Sequence, residues 1–296
     1  RSSSYYDAAL AVIGASPNVA LWTGTHASYI SEMALGAEVQ TDAGTFRAKW
    51  VVDTRPPSRD RLEAAPLAQV FSGREIEVSE DRFDPGTAYL MDELRSKPGQ
   101  VAFDYVLPLS SRRALIEHTV FSTDPLSPCD LDPACGRLVE TWAGRGAKTV
   151  RSERGWLPMG LPTAAKLNGP IYRAGTSAGV LRPSSGYGFL RIQRWAKQCA
   201  ENLARGKAPI SQTEDPAFRQ TMDRIFLKAL SQNISSAPAI FMALSKALDG
   251  DAFARFMTDA ATPLDWTRAV FALPKAQFLK AAVQPIQLRR HQLADY

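Results

Sequence analysis

"YRAGTSAGVLRPSSGYGFLRIQRWA", residues 172–196, is the stretch on which the fold turns. A short run with strand character ends at Gly175, and an amphipathic helix is predicted from about Phe189. The join is crowded with small residues: Ala178, Gly179, Ser184, Ser185, Gly186 and Gly188. Small side chains let backbone approach a neighbour closely. A helix N-terminus favours a partner carrying negative charge. Two readings follow: a flat, polar cofactor lies across the strand end and the helix start, or the segment is a tight strand-to-helix turn with nothing bound.

Working outward, residues 4–13 read as a helix, and 19–22 and 27–34 as short strands. "AEVQTDAGTFRAKWVVDT" reads as a hairpin feeding a buried strand that ends in Asp53, closed by the Pro-rich turn "RPPSRD". Residues 68–121 hold four strand-like segments separated by turn signals, most simply an antiparallel sheet. A helix is expected over 132–142 and a further strand over 147–159. From about 215 onward the pattern is helical, with Asp215 before Pro216 and Thr262 before Pro263 as N-cap signals.

Composition bounds the function. The 296 residues are 45% hydrophobic and 22% charged, which excludes wholesale disorder. The net charge of +5 is modest, and adjacent basic pairs occur only at 112–113 and 289–290. Nucleic acid would call for a basic stripe, so it is not expected as a partner. The charge is compatible with an anionic membrane surface. Three cysteines (129, 135, 199) form no framework and lack metal-ligand spacing, and three histidines lie far apart, so no metal is expected. The default is a reduced, cytoplasmic compartment. No apolar run approaches the ~18 residues of a spanning helix.

One carboxylate stands out. On a strand, residues of equal parity share a face, so Leu115, Glu117, Thr119 and Phe121 line one side. A carboxyl among apolar neighbours keeps its proton toward neutrality and can act as a general acid. The bland alternative is an ion pair, with Arg113 on the same face as the candidate partner. His118 points the other way and reads as a packed or hydrogen-bonded histidine.

The motif G-x-x-A-G-x-x-x-P-S-[ST]-G-Y, here Gly175, Ala178, Gly179, Pro183, Ser184, Ser185, Gly186 and Tyr187, resembles the flavin-side motif of the lycopene cyclase family. Arg182 stands where that family usually carries His. "DYVLPLSSRRALIEHTVFS" is similar to the family's strand–turn–strand that brings an acidic residue to the substrate, at Glu117. "VVDTRPP" resembles V-[IV]-D-x-R-G, with Pro56 for Gly, and the bacterial lycopene β-cyclase branch is matched in order through "RGWLPM" and the helical tail. The resemblance implies that Asp53, Arg55, Gly175, Ala178, Gly179, Arg182, Pro183, Ser185, Gly186 and Tyr187 lie at FAD, and that Glu117 is the catalytic acid. It implies cyclisation of the end groups of lycopene to β-rings, with reduced FAD acting without net redox change and NAD(P)H as reductant. Peripheral association with the inner membrane is expected, through the Phe-, Met- and Leu-rich helices. A flavin oxidoreductase acting on an isoprenoid or aromatic substrate is the alternative, and a non-catalytic remnant the third.

The expected fold is α/β: a Rossmann-like FAD domain interrupted by an antiparallel substrate-binding sheet, with a C-terminal helical region. The boundaries expected are 1–66 and 160–207 for the FAD domain, 67–159 for the sheet and 208–296 for the helices. Such a domain should open with a strand and G-x-G-x-x-G. None is found; "GRGAKT" at 144–149 fails at its last position. The chain starts at Arg1, as if mid-domain, so roughly 80 residues holding the first βαβ unit are expected to precede it. Residues 1–296 alone are accordingly expected to hold FAD weakly.

Overall fold

Four strands in the middle of the chain set up the architecture. The computed structural model describes residues 2–58, 62, 64–161 and 169–283. The end of the Pro-rich turn (59–60) and the basic pair 289–290 lie outside the described residues. In chain order the first elements are α1 (Ser2–Gly14), β1 (Ala27–Met33), β2 (Gly36–Thr41), β3 (Gly44–Ala48) and β4 (Val51–Asp53). The sheet region holds β5 (Leu67–Glu77), β6 (Tyr89–Lys97), β7 (Gln100–Ser110), β8 (Arg113–Ser122), α2 (Asp132–Ala143) and β9 (Lys148–Met159). Then follow β10 (Ile171–Arg173), α3 (Phe189–Ala204), α4 (Ala217–Gln232), α5 (Ala237–Ala247), α6 (Gly250–Met257), α7 (Pro263–Ala272) and α8 (Lys275–Val283). The mixed α/β class and the run of antiparallel strands agree with the sequence reading.

The chain divides into two units, residues 1–53 with 166–172 and residues 54–165 with 173–296. In the first, β1, β2 and β3 form an antiparallel meander, and β4 pairs with β10. Residues 19–22, expected as a strand, lie outside these ladders; Val19, Leu21 and Trp22 are exposed, with the Trp22 ring edge-on to Phe46. The strand expected to be buried is a three-residue, half-buried β4.

The second unit is built on one five-stranded sheet of order β6-β7-β8-β5-β9, all neighbours antiparallel. Long β-branched and aromatic runs favour these strands, and their alternation assigns two faces. One face carries Ile76, Val106, Ala114 and Ile116, packed on Cys135, Val139 and Ala143 of α2. The other carries Leu67, Val101, Phe103, Phe121 and Met159, packed against Leu227 and Leu230 of α4 and Ile240 and Leu244 of α5. Phe103 is fully buried at the centre of this second cluster, edge-on to Tyr105 and Phe121. Truncating such a ring to Ala costs about 3–5 kcal/mol.

The helix N-termini split. Thr262 caps α7 as expected, accepting from the Asp265 N–H, while the Asp265 carboxylate accepts from the Thr262 N–H. Asp215 does not cap α4, whose N-cap is Pro216 with no side-chain cap. Its carboxylate is taken instead by the guanidinium groups of Arg191 and Arg219. Two charge-assisted contacts to partly buried arginines outweigh one backbone N–H at a helix end.

Candidate active site

The small-residue turn is held in the geometry its glycines allow. Gly175 has φ 77° and its carbonyl accepts from the N–H groups of Ala178 and Val180. Gly179 (φ 79°) ends the single 3₁₀ turn Thr176–Ala178 in the left-handed region. Gly186 (φ 69°) donates to the Arg182 carbonyl at 2.8 Å, as does Ser185 at 3.2 Å, and Arg182 donates back to the Tyr187 carbonyl at 3.0 Å. A loop of residues 182–187 is thereby closed on itself. A side chain at Gly186 would lie 2.9 Å from Gln69 Oε1 and 4.0 Å from a Leu157 methyl, so this loop abuts β5 and β9. At Gly175 the nearest neighbour of a Cβ would be the Thr54 carbonyl at 3.7 Å, which brings Thr54 to the start of the turn. Asp53 closes β4 and Arg55 follows it, both half-buried. Helix α3 begins after Gly188, which as a glycine supplies no side-chain cap.

Arg182 is 2% exposed, and its side chain is turned into the helical region. Its Nε lies 3.1 and 3.2 Å from the two oxygens of Asp223, its Nη2 donates to the same carboxylate, and its Nη1 donates to the Phe256 carbonyl at 2.6 Å. The guanidinium stacks on Phe256 and Trp266 at 4.9 and 5.7 Å. Ser184 also donates to Asp223, at 2.8 Å. Asp223 itself was not legible as a site residue. Its signal is a carboxylate on the buried stripe of α4, shared with Leu227 and Leu230, where a buried charge needs a counter-charge. The arrangement leaves the backbone of residue 182, and not its guanidinium, to face the turn.

Glu117 sits on β8 opposite Tyr105 of β7 and Gly73 of β5, on the sheet face that carries Phe103 and Phe121. Thr119 Oγ1 donates to Glu117 Oε1 at 2.7 Å. Burial pushes the Glu117 carboxyl up to about 7; the Thr119 hydrogen bond works against this and the Glu153 carboxylate adds to it. Arg113, the candidate ion-pair partner, is placed against Glu75 instead, at 2.7 Å. The neighbouring Tyr105 hydroxyl is held neutral by burial and by Glu117. His118 faces the other way, its Nδ1 2.6 Å from Asp104 Oδ1, and Asp104 in turn accepts from Arg95.

A cavity of about 200 Å³ lies between this sheet face and the helices. Tyr105 and Phe121 of the sheet, Phe241, Phe256 and Trp266 of the helices, and Ser185 of the turn all line it. Its walls are apolar except where the turn and the Arg182–Asp223 pair reach it. The region thus combines a buried carboxyl on a sheet, an apolar chamber that is lined by its cross-strand neighbour Tyr105 and not by Glu117 itself, and a glycine-rich turn leading into α3.

These features define an α/β protein with a buried acid one strand away from a residue that lines an apolar chamber. The profile of the lycopene cyclase protein family matches residues 17–283, and this chain belongs to that family. The lycopene beta-cyclase of Pantoea ananas is 29% identical over 164 residues, which are 51% of this chain and 42% of that protein. The match therefore spans less than half the length of that curated relative. Among solved structures, a geranylgeranyl bacteriochlorophyll reductase-like protein from Thermoplasma acidophilum is similar with a TM-score of 0.49 and 14% identity, over 94% of this chain and 70% of the other. Glycine oxidase from Geobacillus kaustophilus gives 0.44 and 22%, over 71% and 57%.

Proposed function

We propose that the chain carries the acid-bearing part of a lycopene β-cyclase, closing the linear end groups of lycopene to β-rings. The observation that carries this reading is Glu117, a buried carboxyl pushed up to about 7 whose cross-strand neighbour Tyr105 lines an apolar chamber. Glu117 gives its proton to the terminal double bond, and a neighbouring double bond attacks the cation so formed. Loss of a ring proton completes the isomerisation. Tyr105 and Phe121 keep water from the cation, and aromatic faces favour positive charge beside them.

FAD fits the residues present. Gly175, Gly179 and Gly186 hold the turn at positive φ without side chains, so its backbone can approach a flat group closely. Asp53, Arg55, Gly175, Ala178, Gly179, Pro183, Ser185, Gly186 and Tyr187 would hold it, with residue 182 contributing through its backbone. When bound and reduced at the expense of NAD(P)H, FAD supplies negative charge that stabilises a cation without net electron transfer. The turn that would hold it packs on Gln69, on the sheet face that bears Glu117.

Entry of the substrate from a membrane surface belongs to the same reading. Met242 and Val270 line the cavity yet are 48% and 37% exposed, with exposed Phe271 and Leu264 nearby on α7. Among the described residues no helix is long and apolar enough to cross a bilayer. The test is product analysis on lycopene under reducing, anaerobic conditions. An isomer of unchanged mass supports a cyclase; a product heavier by oxygen or hydrogen would make it an oxidoreductase.

A further inference from the structure

Gly73 of β5 is paired on one side with Glu117 of β8 and on the other with Glu153 of β9. The two glutamates therefore flank a single residue that has no side chain, on the same face, with Cα atoms two strand spacings or about 10 Å apart. A Cβ at Gly73 would lie 3.2 Å from Glu153 Cγ and 3.4 Å from Glu117 Cβ, so both side chains lean into the gap. Glu153 ends a row of charges along this face. Arg113 pairs with Glu75 at 2.7 Å, Glu75 with Arg151 at 3.4 Å, and Arg151 with Glu153 at 2.5 Å. The row is neutral in sum and alternates in sign. Its last member, nearest Glu117, is an anion.

We propose that Glu153 reinforces the hold on a Glu117 proton that burial already favours, acting across the gap left by Gly73 as a positioning residue for that proton. This rests on the reading of Glu117 as the proton donor. The groups that face Glu117 are accounted for strand by strand. Beta-strand β7 contributes the Tyr105 phenol, and Glu117's own strand contributes the Thr119 hydroxyl and Arg113. Strand β5 contributes Glu75 beyond the gap, and β9 contributes Glu153 and Arg151. Arg113 is bound to Glu75, and Arg151 is shared between Glu75 and Glu153, so the carboxylate beside the gap is Glu153, partly neutralised by Arg151. A like charge at this range disfavours ionisation of Glu117, so that the acid is re-formed near neutrality after each transfer. The side chain of Glu153 is 28% exposed and paired with Arg151.

The test reads Glu117 directly and needs neither flavin nor substrate. The infrared carbonyl band of protonated Glu117 is assigned as the band lost in Glu117→Gln and is followed against pH. Its midpoint in the unaltered protein should fall near 7. In Glu153→Gln it should move down by about 0.3–1.2 pH units, the range for one unit charge removed at about 10 Å in an effective dielectric of about 80 to 20. In Arg151→Gln, which leaves Glu153 unneutralised, it should move up. The opposite signs make the pair informative even if one variant folds poorly. A midpoint that stays within 0.2 unit in whichever of these variants fold, or shifts of the wrong sign, would overturn the proposal. Turnover separates the two layers. If Glu117→Gln still cyclises while the Glu153→Gln band shifts, the coupling stands and the acid assignment falls. If Glu117→Gln is inactive and the band does not move, the coupling falls alone.

Discussion

Asp223→Asn removes one charge from the pair that ties the small-residue turn to the helices. In the structure Asp223 accepts from Arg182 Nε, Arg182 Nη2 and Ser184 Oγ, and both Arg182 and Asp223 are 2% exposed. Removing one member of a buried ion pair costs about 3–5 kcal/mol, mostly because the other charge is left uncompensated. Arg182 keeps its bond to the Phe256 carbonyl and a 3.7 Å contact with Asp259, so the low end, about 3 kcal/mol, is expected. For a unit of this size each kcal/mol shifts the melting temperature by roughly 2–4 °C. A loss of about 6–12 °C by calorimetry is therefore predicted. The double variant Arg182→Met, Asp223→Leu removes both charges and should recover most of that loss, since apolar pairs of similar volume replace buried ion pairs at little cost. Asp223→Asn melting within 2 °C of the unaltered protein would refute the reasoning, and so would a double variant less stable than the single one.

Three further outcomes follow from the same geometry. Because the Glu117 carboxyl is raised from 4.5 to about 7, the folded state loses stability as pH rises between those values. Glu117→Gln should escape this, gaining up to about 3 kcal/mol above pH 7 and nothing at pH 4, as measured by urea unfolding at the two pH values. Gly155→Ala would set a methyl 2.2 Å from the Phe71 ring and should destabilise by about 1–3 kcal/mol, relieved by Phe71→Leu; unchanged melting would contradict that packing. Flotation with anionic liposomes should carry the protein upward, and Phe271→Ser with Leu264→Ser should reduce it several-fold.

Much of the architecture was legible because it follows from local pattern. The strands over 67–122, helix α2 and the helical tail were all expected from periodicity, and the parity of β8 put Glu117 and Thr119 on one face, where they hydrogen-bond. His118 was rightly set apart from them. What the sequence concealed was pairing at long range. Arg113 shares a face with Glu117 yet reaches Glu75 on the adjoining strand, because strand register and not parity decides which charges meet. Arg182 was read toward the cofactor from its place in the motif, while its guanidinium turns to Asp223, 41 residues away. Asp215 has the position of a helix cap, and two arginines claim it. Residues 19–22 have strand composition and no ladder to join. Gly73 gave no signal at all, since its role depends on two strands that flank it.

The proton of Glu117 is the centre of the proposed cyclisation, and one measurement reaches it. Conversion of lycopene to cyclic carotene is assayed for Glu117→Gln in a lycopene-accumulating host, with flavin content and folding checked alongside. General acid catalysis is typically worth about 10²–10⁴-fold, and conversion should fall by at least that much with the fold intact. The unaltered protein should lose activity as pH rises through about 7, where Glu117 gives up its proton. A Glu117→Gln protein that folds and still cyclises at near-normal rate would contradict the account.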